Sequence, residues 1–156
     1  MDDLLAQCDV ERLRRSGPGG QHRNKVETAV RLVHRPTGVR AEASQRRSQA
    51  ENRLAAIESL RINLALEVRR PCSTETGPSS RWQSRCRGGR LNVSASHEDF
   101  PALLAEALDC MAALDQDATR AAAALGCTTS QLIRLLKKEP RALAQVNQSR
   151  RERGLH

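Results

Sequence analysis

The chain has 156 residues, with 26 lysines and arginines against 18 acidic residues for a formal charge of +8, and it holds one Phe, one Trp and no Tyr. That length suits one domain, or a small domain with an appended unit, and the charge calls for a polyanionic partner, nucleic acid or a membrane surface. The scarcity of aromatics argues against base stacking as the main mode of recognition and leaves phosphate contacts through arginine.

Five cysteines without a C-x-x-C pair point to reduced thiols rather than a disulfide frame, and four histidines without ligand spacing offer no metal site. No metal or other cofactor is expected. No apolar run is long enough to span a bilayer, and Asp2 and Asp3 do not suit a targeting segment. The expectation is a cytoplasmic chain without a membrane partner.

In chain order, Asp9 to Arg15 predicts a short strand that feeds the segment Ser16-Gly17-Pro18-Gly19-Gly20-Gln21. Gly19-Gly20 opens backbone conformations closed to other residues and permits close approach to a substrate, while Pro18 stiffens the segment. The expected result is an exposed loop presenting the Gln21 N–H and side-chain amide. Asn24 to Thr28 suits a helical turn, and Ala29 to His34 a second strand. Arg35-Pro36-Thr37-Gly38 fits a type I turn. Beyond it Val39, Ala41 and Ala43 alternate with Arg40 and Glu42, so positions 29 to 43 read as an antiparallel hairpin. Ser48-Gln49-Ala50-Glu51 has the form of a capping box. It opens a helix with an expected buried stripe of Leu54, Ile57, Leu60 and Leu64.

From Arg69 to His97, Pro, Gly and Ser break up the pattern, and the segment reads as a linker with a short strand at Arg90 to Ser94. Arg81, Arg85, Arg87 and Arg90 surround Trp82 there and form a second set of candidate phosphate contacts. The remainder is helical. Asp99 and Pro101 open a helix with Leu104, Leu108, Met111 and Leu114 on one side. A helix over Gln116 to Leu125 follows, closed by Gly126. Thr128-x-x-Gln131 opens another with Leu132, Leu135 and Leu136, and Arg141 to Arg153 forms the last. Ala121 to Lys137 has the form of a helix-turn-helix corner. Arg150, Arg151 and Arg153 complete the second set of cations.

The run R-S-G-P-G-G-Q-H-R-N-K-V-E-T-A-V-R-L from Arg15, then H-R-P-T-G-V and R-R-S-Q-A-E-N-R-L, resembles the peptidyl-tRNA hydrolase domain of class I peptide chain release factors and short ribosome-rescue hydrolases. The similarity runs from about Val10 to Leu66. The fold it implies is α+β, a small antiparallel sheet with one long packed helix. With the rest of the chain, the expected organisation is a hydrolase domain over 1–69, a basic linker over 70–97 and an all-α unit over 98–156.

The resemblance implies hydrolysis of the ester joining a peptide to the terminal ribose of tRNA, inside the peptidyl transferase centre of the ribosome. Gly19, Gly20 and Gln21 would be the catalytic residues, with the Gln21 N–H stabilising the developing oxyanion and its side chain positioning water. Arg14, Arg15, His22, Arg23, Asn24, Lys25, Arg46, Arg47 and Arg53 would contact rRNA or tRNA, His22 as an exposed loop residue rather than a general base. The implied partners are the ribosome, through large-subunit rRNA and peptidyl-tRNA, and an auxiliary factor through the C-terminal helices, with the chain itself a monomer.

The chain departs from the family in two respects. About eight residues precede the first strand and no codon-reading domain is evident, so rescue without codon recognition is expected. Where rescue enzymes carry a flexible basic tail, this chain has helices containing Glu98, Asp99, Glu106, Asp109, Asp115 and Asp117. An alternative stays open: a helix-turn-helix nucleic-acid-binding or regulatory protein with a vestigial glycine loop.

Overall fold

In the computed structural model, which describes residues 2–14 and 28–155, the chain divides into two units, Met1–Glu67 and Val68–His156. The fold is mixed α+β, with a small antiparallel sheet and several helices.

The first unit begins with a short helix α1 (Asp2–Ala6), followed by strands β1 (Cys8–Leu13), β2 (Ala29–His34) and β3 (Arg40–Ala43) and the long helix α2 (Gln49–Glu67). The three strands form an antiparallel sheet in the order β1-β2-β3. Register is marked on its outer face, where Arg31 of β2 stands opposite both Glu11 of β1 and Glu42 of β3 and pairs with each at 3.2 Å. Opposite charges placed directly across strands favour this alignment, modestly for groups so exposed. On the other face Val30, Leu32 and Ala41 are buried, and α2 packs against β2 and β3.

The expected hairpin over 29 to 43 forms, with its turn one residue earlier than expected. The His34 carbonyl accepts from both the Thr37 and Gly38 N–H groups, at 3.3 and 2.7 Å. Gly38 sits at φ +74°, a left-handed conformation that a side chain would disfavour. Ser48 caps α2, its Oγ accepting from the Glu51 N–H at 3.4 Å. The expected stripe is corrected. Ile57 and Leu60 are buried, but Leu54 is 55% exposed and Leu64 only half-buried. The face turned inward runs through Asn52, Ala56 and Leu60, at i, i+4 and i+8.

The second unit departs most from expectation. The linker reading over 70–97 is corrected for its later part, which holds helix α3 (Ser80–Arg85) and a two-stranded hairpin, β4 (Cys86–Arg87) with β5 (Arg90–Leu91). Trp82 is fully buried. Ser79 caps α3, and both its N–H and its hydroxyl are held by the Glu106 carboxylate, at 2.7 and 2.6 Å. A large buried apolar side chain and a local cap braced by a carboxylate from a distant helix outweigh the local Ser and Gly content. Gly88 and Gly89 both have positive φ, as the tight hairpin turn between β4 and β5 requires.

Helices α4 (Phe100–Ala113), α5 (Ala118–Ala124), α6 (Thr129–Lys137) and α7 (Pro140–Glu152) complete the unit. Its core includes Phe100, Leu103, Leu104, Met111, Leu132, Leu135 and Leu136. Gln116, expected inside a helix, is instead in the left-handed region at φ +63°, next to Asp115 at +55°. Asp117 then caps α5 by accepting from the Thr119 and Arg120 N–H groups. Thr128 caps α6 through the Gln131 N–H at 3.2 Å, while the Gln131 side chain accepts from the Leu91 N–H in β5. Among the described residues no helix is long and apolar enough to cross a membrane.

Candidate functional site

The described strands hold both ends of the segment that carries the glycine triplet. Gly19, Gly20 and Gln21, with Arg15, His22, Arg23, Asn24 and Lys25 and the helical turn expected from Asn24, lie outside the described residues. Leu13 at the end of β1 stands directly opposite Ala29 at the start of β2. Such partners are about 5 Å apart, so positions 14 to 28 leave and re-enter the sheet side by side. A segment anchored this way on a regular sheet has the placement in which binding and catalytic groups are commonly found.

Asn52 fastens the returning end. Its side chain is wholly buried, and Nδ2 donates to the Thr28 carbonyl at 2.7 Å and to the Arg46 carbonyl at 3.0 Å. Its Oδ1 accepts from the Arg46 N–H at 2.9 Å. One amide therefore joins the residue before β2 to the approach of α2. Sequence reading passed over Asn52; the available signal was its place four residues before Ala56 and eight before Leu60, a polar residue on the apolar side of the helix.

Three expected RNA contacts gather at this end of the unit. Arg46, Arg47 and Arg53 are exposed around the N-terminus of α2, and among the described residues none has a carboxylate partner. Arg14, at the outgoing end of β1, is exposed as well. Cations at a helix N-terminus work against the helix dipole, by about 0.3–1 kcal/mol each, and Glu51 is the acidic residue of the first turn. A bound polyanion reverses that cost. The arrangement is suited to phosphate.

The second set of cations is divided. Arg81 and Arg85 both reach Asp99, at 3.4 and 2.9 Å, and Arg153 pairs with Asp115 at 3.0 Å. Arg150 donates to the Gln116 carbonyl. These last two therefore brace the left-handed corner at 115 and 116, where each non-glycine residue costs on the order of 1–2 kcal/mol. Arg87, Arg90 and Arg151 are exposed, with no carboxylate partner among the described residues.

Burial raises the thiols of Cys8, Cys86, Cys110 and Cys127, Cys110 to about 12 and Cys127 to about 11. Thiol nucleophiles act as thiolates, so none of these four is poised for attack on an ester.

Residues 5–97 match the RF-1 domain family. The chain is 40% identical over 74 residues to peptide chain release factor 1 of Rickettsia typhi, a match covering 47% of this chain and 21% of that protein. It is 44% identical over 95 residues to peptide chain release factor 2 of Neisseria meningitidis, covering 57% and 26% of the two chains. To peptide chain release factor 2 of Paramagnetospirillum magneticum it is 44% identical over 59 residues, covering 38% and 16%. The chain thus spans about a quarter or less of the length of these curated relatives.

Proposed function

The chain belongs to the RF-1 domain family, and from that premise we propose that it is a release-factor-like hydrolase that cleaves the peptidyl-tRNA ester on the ribosome. The observation that carries this is the triplet Gly19-Gly20-Gln21, set on a segment whose two ends are register partners of one sheet and whose return is tied by Asn52 beside the arginines at the start of α2.

In this reading the oxygen of a water molecule attacks the ester carbonyl carbon. A tetrahedral oxyanion forms, and the bond to the ribose oxygen breaks as that oxygen takes up a proton. The Gln21 N–H supplies a preorganised donor to the oxyanion, worth about 10²–10³ in rate by analogy with other such donors. The Gln21 side chain positions the water, and Gly19 and Gly20 admit the backbone to a confined site. Arg14, Arg46, Arg47 and Arg53 grip RNA phosphate, with Arg15, His22, Arg23, Asn24 and Lys25 doing the same on the loop. We propose further that release is codon-independent, that the protein acts as a monomer in the cytoplasm, and that its targets are stalled ribosomes. The alternative, a helix-turn-helix regulator with a vestigial loop, draws no support from the relatives named above.

The test is release of labelled peptide from ribosomes stalled on an mRNA lacking a stop codon. Wild type releases the peptide; Gln21→Ala loses release while still cosedimenting with ribosomes. Full release by the Gln21→Ala protein overturns the assignment.

A further inference from the structure

We infer that the second unit carries its own binding surface for the phosphate backbone of double-helical RNA, formed by the exposed side of α6 together with the turn of the β4–β5 hairpin. Its residues belong to the second unit, whereas those assigned to ester hydrolysis belong to the first; only the choice of RNA over DNA rests on the release reading.

Helix α6 is sharply divided. Leu132, Leu135 and Leu136 are buried on one side. Ser130, Arg134 and Lys137, at i, i+4 and i+7, line the opposite side and are all exposed. The helix contains no acidic residue. The two cations are three residues apart, about 4.5 Å along the helix axis.

The hairpin adds to this surface at its N-terminal end. The Thr128 N–H donates to the Gly89 carbonyl at 3.3 Å, and the Leu91 N–H donates to the Gln131 side chain at 3.3 Å. The tight turn is thereby fixed against the first residues of α6. Arg87 and Arg90 flank the turn and stand directly opposite each other in the ladder. Like charges so placed are destabilising, and among the described residues neither arginine has an acid to offset them. Two facing arginines on a hairpin docked at the start of α6, with Arg134 and Lys137 further along the helix and without a carboxylate partner among the described residues, make a basic surface that an external polyanion relieves.

The aromatic inventory narrows the partner. Trp82 and Phe100 are buried and the chain has no Tyr, so no Phe, Trp or Tyr ring is exposed for stacking single-stranded bases or anchoring a protein. What remains is point charges on a rigid helix and a rigid turn, suited to the regular backbone of a duplex. Double-stranded RNA is commonly recognised in this way, through shape and phosphate contacts.

The experiment measures binding of the full chain to a blunt RNA duplex of about 16 base pairs, the span covered by a double-stranded RNA binding domain, and to a DNA duplex of the same sequence. The proteins are wild type, Arg134→Ala/Lys137→Ala, Arg87→Ala/Arg90→Ala, and the charge-matched control Arg35→Ala/Arg40→Ala at the turn of the first unit. Wild type is expected to prefer RNA. Each of the first two double variants binds about tenfold more weakly, with the salt slope reduced by about two, while the control binds as wild type. Unchanged circular dichroism shows that the variants are folded.

Equal loss in the control, unchanged binding in both surface variants, tighter binding of DNA, or tighter capture of polyglutamate than of RNA each overturns the inference. The duplex assay contains no ribosomes. A protein that releases no peptide but prefers RNA through Arg134 and Lys137 therefore refutes the release reading and upholds this one.

Discussion

Asn52→Asp replaces one amide nitrogen by oxygen at almost constant volume, and it tests how the return of the loop is held. In the native unit Nδ2 donates to two carbonyls, Thr28 at 2.7 Å and Arg46 at 3.0 Å. An aspartate turns both bonds into oxygen–oxygen contacts and keeps only the acceptor for the Arg46 N–H. A buried acceptor left without its donor costs about 1–3 kcal/mol, so two part-buried ones cost about 2–6 kcal/mol, before the buried charge of the aspartate is added. A unit of this size holds only about 3–10 kcal/mol in all.

Asn52→Ala loses all three hydrogen bonds without placing a carboxylate among carbonyls, and is expected to cost about 2–4 kcal/mol. At neutral pH the aspartate is therefore the worse substitution. Burial and the facing carbonyls raise its folded-state pKa above the unfolded value of about 3.9. The sign follows: the variant regains stability as pH falls toward 4, because a protonated carboxyl again donates, whereas the alanine variant does not. Amide hydrogen exchange at Val30 and Leu32 in the central strand reads the stability of this unit directly. An aspartate variant within about 0.5 kcal/mol of wild type, or more stable than the alanine variant at neutral pH, refutes the clamp.

Other expectations concern the second unit. Trp82→Ala removes a fully buried indole and is expected to cost about 3–5 kcal/mol in thermal unfolding; a change within about 0.5 kcal/mol would mark an exposed tether instead. Trp82→Phe costs less, because a phenyl ring keeps most of the buried apolar volume. The Glu139 carboxylate is held below its ordinary range, first by the Arg141 side chain and also by the Arg141 N–H that it caps, against an opposing effect of burial. Its contribution is complete above the unfolded glutamate pKa of about 4.3 and is lost as pH falls through the lower folded value. Glu139→Gln should therefore flatten the acid limb of the pH–stability curve. Burial raises Asp109, which acts in the opposite direction; both proteins retain it, so the difference between their curves isolates Glu139. Identical acid limbs would exclude the contribution.

The hairpin over 29 to 43 was legible because its signals are local: alternation along β3 and a turn containing Pro36 and Gly38. The starts of α2 and α6 were legible for the same reason, since Ser48 and Thr128 each cap an N–H three residues on. Membership of the family was legible in the order of residue types around Gly19-Gly20-Gln21, and the family match covers the same region.

Other features depend on residues far apart in the chain. Leu54 faces outward while Asn52 and Ala56 face inward, because contact with the sheet selects the inner face of α2 and the helix period admits more than one. Glu106 organises the start of α3, and Asp99 draws in Arg81 and Arg85. Arg150 and Arg153 hold a corner that propensity alone would have made helical. The sequence by itself determined the family and the elements whose hydrogen bonds close within a few residues. Only the tertiary structure decided which faces are buried and which arginines remain available to a partner, because burial and charge pairing depend on groups brought together across tens of residues.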